Sequence, residues 1–375
     1  MLKAIELRWK GTVRQKMRNC AALRCASARQ VYLERPADIP ASRGLITGVL
    51  LCFLAGGVSC GSDDARSPDQ GVDSGLVDGW EVLPGVRGGA IQEIGVTELA
   101  GKIYVVGGFN GTLGVVTAVR VYDVETDRWS DAAVLPQAMH HANVASVDGK
   151  VYLLGALLGT AFSQTGQSWS YDPMADEWTE LARMSPSDAR GAAAVGVIDG
   201  KIYLAGGFRN GAAVNNVSVY NPVTDQWDDQ LPDLPQPSDH LVGGVVDGVF
   251  YVIGGRDGTI GSITGQVVAF DPATPDGWTT RAAMPTPRGG MAAGVVGGKI
   301  LVVGGEGNRA ASSGVFPQVE SYDAAADTWA QLPPMRTPRH GMGAAGYDGK
   351  LYIPGGATKE GFGAVATFES YTPSQ

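Results

Sequence analysis

The chain has 375 residues, of which 54 are glycine and only 18% are charged, and its formal net charge is −9. So much glycine disfavours helices and suits a β-rich, turn-rich fold. An acidic balance excludes the long-range attraction that nucleic acid or an anionic bilayer surface requires.

Residues 1–43 carry ten Lys or Arg against three acids, and Gly44 to Ser59 (GLITGVLLCFLAGGVS) are then uncharged up to Cys60. A basic segment, a short glycine-containing apolar core and small residues before a cysteine make an export signal, too short for a comfortable membrane span. This pattern resembles the bacterial lipoprotein signal, in which the cysteine is acylated and becomes the mature N-terminus. The resemblance implies lipidation of Cys60 and anchoring in the bacterial cell envelope; Gly61 rather than Asp after it points to the outer membrane. Residues 1–59 are therefore read as the export segment and 60–78 as the lipidated cysteine and a flexible tether, since GSDDARSPDQGVDSG has almost no large apolar side chains. Without residues 1–59 the chain has 19 basic and 35 acidic side chains, a balance of −16. No cysteine follows Cys60, so no disulfide staples the remainder.

From Trp80 onward one pattern recurs. Apolar runs closed by a glycine pair have their first glycine at Gly107, Gly155, Gly206, Gly254, Gly304 and Gly355, spaced by 48 to 51 residues. Tryptophans fall at Trp80, Trp129, Trp178, Trp227, Trp278 and Trp329 with spacings of 49 to 51. Within each unit an Asp-Gly pair such as Asp199-Gly200 separates two alternating apolar runs, which reads as a two-residue hairpin. Ala100-Gly101 and Gly297-Gly298 are variants of it. Tyr122, Tyr171, Tyr220 and Tyr322 belong to a third strand and the tryptophan to a fourth. The second unit departs by having Gly155-Ala156 and an extra Trp169, and the fourth by having Phe270 for Tyr and an added residue before Trp278.

A period near fifty with these marks resembles the kelch repeat, one four-stranded propeller blade per unit. The resemblance covers about the last 295 residues. The last unit has three strands and no Trp strand, whereas Trp80 to Pro84 is a Trp strand with nothing before it. The fold class expected is therefore all-β: a six-bladed kelch β-propeller over 79–375, a single domain closed by its N-terminal strand.

No nucleophile elbow, P-loop, EF-hand loop or dinucleotide fingerprint is present, and no cofactor is expected. Propeller function collects where the blade loops converge. Counting seven residues back from each hairpin turn gives Glu93, His141, Ala192, His240, Gly290 and Gly341, and the family resemblance puts Glu93, His141 and His240 at the channel mouth among residues too small to block it. Arg190, Arg288 and Arg339 recur two positions earlier and are read as structural hydrogen bonders between blades. The loops after the glycine pairs open on the same face by the same analogy, bringing Phe109, Asn110, Phe208, Arg209, Arg256, Asp257, Glu306 and Lys359. Mixed charge with aromatics suits a polar ligand with an apolar face.

Three readings follow. The leading one is a monomeric, membrane-tethered binding module, more a binder than an enzyme, that presents its mouth to a polypeptide or a glycan. The second rests on a weaker similarity to the bacterial N-acetylneuraminate epimerases, also exported six-bladed kelch proteins: Glu93 and His240, on opposite blades, would face each other as acid and base across a sugar, with His141 beside them. The third is a metal held by two His and a carboxylate. The channel is expected to be too wide for one ion to reach blades one, two and four, so no metal is assigned.

Overall fold

The structure, a computed structural model, describes residues 78–374; the export segment, Cys60 and all of the tether except Asp78 lie outside the described residues. Six four-stranded antiparallel sheets make six blades, and no α-helix occurs among the described residues. Blade one consists of Gly95–Leu99, Lys102–Val106, Val119–Asp123 and Arg128–Ala132, and blades two to five repeat this order. Blade six takes its inner three strands from Ala345–Tyr347, Lys350–Pro354 and Phe368–Tyr371, and its outermost from Trp80–Val82. Trp80 pairs with Tyr371, Glu81 with Ser370 and Val82 with Glu369. The expected clasp is therefore formed, and it joins the two ends of the described chain.

The hairpin turns explain the register. Asp148-Gly149, Asp199-Gly200, Asp247-Gly248 and Asp348-Gly349 all have positive φ at both residues, as a two-residue turn matched to right-handed strand twist requires. Each strand pair then alternates, and the faces that meet between blades are apolar. Six buried clusters result, one at each blade interface, and the cluster between blades six and one (Ile91, Ile103, Tyr122, Tyr352, Phe368) is as dry as the others. Closing the ring by non-covalent pairing therefore leaves no exposed seam.

Side chains at the outer rim tie neighbours together. In each blade the indole N–H of the repeated Trp donates across to a backbone carbonyl in the linker that follows the preceding blade, as from Trp178 to Ala133 and Trp227 to Ala182, both at 2.8 Å. The Tyr hydroxyl of blades one, two, three and five donates to an Asp five residues on. Three of those Asp side chains, Asp176, Asp225 and Asp327, also accept from the same linker residue's N–H, so both polar groups of the linker are held by one blade.

Three details differ from expectation. Arg190, Arg288 and Arg339 are fully buried, but they bind within their own blade: Arg190 donates to Gly206, Leu204 and Asp188 carbonyls, and Arg288 to Gly304, Val302 and Thr286. The reason is reach, since each Arg precedes the inner strand and runs beneath the second strand of the same sheet. Trp278 sits just before its strand, Thr279–Thr280, because the extra residue forms a wider turn. In blade two, Ala156 in place of the second glycine lets the central hairpin run on, with Lys150–Leu158 paired to Ser163–Asp172, and this carries Phe162 over the channel end.

Candidate functional site

Glu93, His141, Ala192, His240, Gly290 and Gly341 form a closed belt. The N–H of each donates to the carbonyl of its counterpart in the preceding blade at 2.6 to 3.1 Å, and the sixth bond, Glu93 to Gly341, closes the circle. All six residues have φ between 50° and 64°. Non-glycine residues seldom adopt this conformation, and here the belt imposes it. Gly341 has a further reason: a Cβ there would lie 2.5 Å from Glu93 Oε1, so the glycine makes room for that carboxylate.

The belt aims its functional side chains inward until they touch. His141 Nε2 is 3.0 Å from Glu93 Oε2 and 2.9 Å from His240 Nε2, and one ligand atom from each of the three lies within 4.8 Å of the others. The expected width is therefore not what is found. Blades one, two and four do bring their side chains within reach of a single ion, because each side chain leans toward the axis. The same contact leaves no room for a sugar between Glu93 and His240. These three residues close one end of a channel of about 460 Å³ that continues along the inner strands, past Thr97, Ser146 and Val245.

Behind them lies a second set of side chains, from two positions that pair in every blade: the residue before the belt and the residue after the glycine pair. In blades four to six these are Asp239, Arg256, Glu306 and His340, almost fully buried, the first three joined in sequence and His340 beside Glu306. His240 Nδ1 bonds Asp239 Oδ1; Arg256 donates to Asp239, to Glu306 and, at 3.0 Å, to His240 Nε2. In blades one to three the same positions hold Phe109, His140 and Phe208, joined by Phe162. Phe109 stacks on His140 at 4.2 Å, and Phe162 lies against both histidines of the pair. All four histidines of the chain thus meet in one cluster.

Burial and partners set the charges. Burial pushes the Glu93 carboxyl up, but the attraction and hydrogen bond of His141, with His340 and His240 beyond, hold it well below the usual range. Burial likewise opposes ionisation of Asp239, and His240 and Arg256 outweigh it, so Asp239 is a carboxylate. Burial lowers His140 to about 3, with His141 adding to the effect, and burial and then Arg256 lower His240. Burial works against the charge on Arg256, but Glu306 and Asp239 raise it above its ordinary value.

The remaining candidates divide. Glu306 Oε2 accepts the Gly361 N–H and, with the Lys359 carbonyl accepting from His340 Nε2, pins a loop over the cluster. Lys359's own side chain and Asp257 are exposed. Asn110 accepts from Thr112 and Gly114 N–H groups and shapes its own loop. Arg209 donates to Asn216 Oδ1. Gln92 fastens the same blade-six loop from the other side through Gly361 and Gly363, and Phe362 of that loop meets Phe109 edge-on. Sequence reasoning missed Asp239, His140, His340, Phe162 and Phe362. Along a strand, neighbours point to opposite faces, so the residue before each belt position is expected to point away; the left-handed belt residue breaks that alternation. The available signal was the concentration of every His at two adjacent register positions.

Comparison with known proteins places this geometry. The profile of the Attractin/LZTR1 β-propeller family matches residues 98–363. "Kelch-like protein terF" of Aspergillus terreus is 35% identical over 312 residues, covering 78% of this chain and 68% of that protein. "Kelch-like protein 35" of Mus musculus is 30% identical over 223 residues, 60% of this chain and 37% of the relative, and "Kelch-like protein 23" of Homo sapiens is 25% identical over 272 residues, 72% and 46%. The chain thus spans less than half the length of the latter two. The solved structure of YjhT superposes with a TM-score of 0.66 at 17% identity, over 79% of this chain and 98% of that one, a likeness of fold.

Proposed function

The chain belongs to the Attractin/LZTR1 β-propeller family and is a kelch-repeat six-bladed propeller, a fold that typically serves as a protein-binding module; from that premise we propose that it binds a polypeptide partner on the loops covering the charged cluster. The observation that carries this reading is the apolar rim. Leu113 and Phe362 are 47% and 45% exposed, and the half-buried Phe162 and Phe208 continue the patch inward. Exposed aromatics around a polar centre are the composition of an interface core, where a few such anchors carry most of the affinity. A peptide library displayed on phage and selected on the protein tests it. Enrichment on the wild type that falls at least tenfold on Phe362→Ser and Leu113→Ser is expected; equal enrichment on both removes the rim as the binding surface. A glycan array run beside it distinguishes a carbohydrate ligand.

A second reading is favoured by the channel. Its volume of about 460 Å³ is in the range of small-molecule sites, and Glu93, His141 and His240 face it. A sugar in the channel would meet acid and base from one side, a constellation suited to epimerase or mutarotase chemistry. Mutarotation followed by NMR decides, with no rate above buffer removing it. We further propose that the protein is exported as a monomer and held on the outer membrane of a bacterial envelope through acyl chains on Cys60. Labelled fatty acid incorporated by the wild type and lost in Cys60→Ser is the expected result.

A further inference from the structure

We propose that Glu93, His141 and His240 form a binding site for one divalent transition-metal ion, of the zinc class, with its open coordination position facing the channel. One ligand atom from each of the three lies within 4.8 Å of the others, and the hydrogen bonds behind them aim those atoms at one point. The Gly159 carbonyl can only accept, so His140 Nε2, 2.8 Å from it, carries the proton, and the neutral His140 presents a bare Nδ1. His141 Nδ1, 2.5 Å away, bonds it, which directs His141 Nε2 toward Glu93 and His240. Asp239 accepts from the Nδ1–H of His240, which leaves His240 Nε2 as an acceptor that Arg256 meets at 3.0 Å. Two imidazole nitrogens 2.9 Å apart and a carboxylate oxygen 3.0 Å from one of them therefore converge on one point, open to a metal ion in place of the proton that His141 otherwise shares with Glu93. A divalent ion engages all three atoms at once, whereas one proton joins only two of them.

The hydrogen bonds behind the two imidazoles agree. A metal-bound imidazole characteristically passes its other N–H to a carboxylate or to another acceptor, as His240 does to Asp239 and His141 to His140. Two imidazoles and a carboxylate are a borderline set that zinc favours, with ligand atoms about 2.0–2.2 Å from the metal, and a tetrahedral site then has edges of about 3.3 Å. The two edges of 2.9 and 3.0 Å require shifts of only tenths of an ångström, and the third, from Glu93 to His240, lies within 4.8 Å and must close by up to about 1.5 Å. Charge also agrees: the carboxylates of Glu93, Asp239 and Glu306 share one guanidinium, Arg256, with His340 beside Glu93 and Glu306, so a divalent ion enters an acidic cluster. Two further observations bear on the same centre. His340 Nε2 bonds the Lys359 carbonyl, and its Nδ1 is buried and without a hydrogen-bond partner among the described residues, 3.7 Å from Glu93 Oε1 and 3.4 Å from Glu306 Oε2. Arg256 competes for the His240 lone pair at 3.0 Å, and on metal binding it keeps Asp239 and Glu306 and yields that contact.

The site is tested without any partner or substrate, so its failure is separate from failure of either functional reading. The full chain is stripped with a chelator, dialysed against Zn²⁺ and then against metal-free buffer, and its metal is counted by elemental analysis; Co²⁺ is loaded in parallel for its visible d–d bands. One zinc per chain and an intense Co²⁺ spectrum are expected, both lost in Glu93→Gln and His240→Asn. Asn is chosen because it tolerates left-handed backbone. Asp239→Asn, which keeps all three ligands, is expected to weaken zinc about 10–100-fold. Circular dichroism checks each fold, and His141→Asn replaces any variant that fails to fold. Retention of less than half an equivalent by the folded wild type overturns the proposal, the cluster then holding together through a shared proton. Retention unchanged in the folded ligand variants overturns it too.

Discussion

The propeller ties its blades together twice, once at the outer rim and once at the inner belt, and the two rings differ in what repeats. At the rim the side chains recur: a Trp indole and a Tyr–Asp pair grip the neighbouring linker in blade after blade. At the belt only the backbone recurs, six left-handed residues in a closed circle, while the side chains run Glu, His, Ala, His, Gly, Gly. Where identical side chains do the linking they are occupied by the fold. Where the main chain does it, the side chains are released for chemistry, and in this chain every histidine is placed there or immediately before.

The contrast predicts which substitutions act alone and which act together. The largest effect is expected from Trp80→Ala, which removes the anchor of the clasp, a 1% exposed ring tilted against Tyr371 with centroids 4.8 Å apart. Loss of about 3–5 kcal/mol in chemical denaturation is expected, the cost of emptying a buried Trp site. Next, Arg256→Met at the inner cluster strands the Asp239 and Glu306 carboxylates and costs about 3 kcal/mol, at the low end for a buried pair because the Arg side chain is 11% exposed. Glu306→Gln combined with it sharpens the comparison: the double variant falls short of the sum by about 0.5–3 kcal/mol, since both belong to one network.

Smaller and additive effects mark the rim. Tyr220→Phe and Tyr322→Phe each remove a hydroxyl that donates to a carboxylate at 2.6 Å, for about 1.5 kcal/mol apiece, and their sum is recovered within about 0.5 kcal/mol because the pairs share no partner. Coupling at the rim as strong as at the belt would break the distinction. The smallest effect is on acid stability. The Ala133 N–H and then the Tyr171 hydroxyl hold Asp176 below the usual aspartate range, and Tyr322 and then the Ala282 N–H do so for Asp327. A carboxyl lowered on folding stabilises the native state above its unfolded value, and that contribution is lost as pH falls through the folded one. Asp176→Asn is therefore expected to flatten the acid limb of the denaturation midpoint slightly while leaving neutral pH less stable.

Most of the rim was legible in the residues. Trp80, Tyr220, Asp199-Gly200 and the glycine pairs each act over a short stretch of chain, so their spacing alone declares the blade, the turn and even the clasp. Glu93, His141 and His240 were also found, by register. Their contact was not, and neither were Asp239, His140, His340 or Arg256's place among them, because strand alternation assigns adjacent residues to opposite faces and a left-handed residue cancels that rule. Phe162 was hidden for another reason: only pairing across the lengthened hairpin of blade two lifts it over the channel.

By itself, then, the sequence determined the number of blades, their strand order and how the circle is completed, since each depends on local turn chemistry repeated at a fixed interval. Tertiary structure decided the width at the axis and the company each side chain keeps there. Those depend on six chain segments, up to some 250 residues apart, meeting around one circle of main-chain hydrogen bonds, a boundary condition that no single repeat contains.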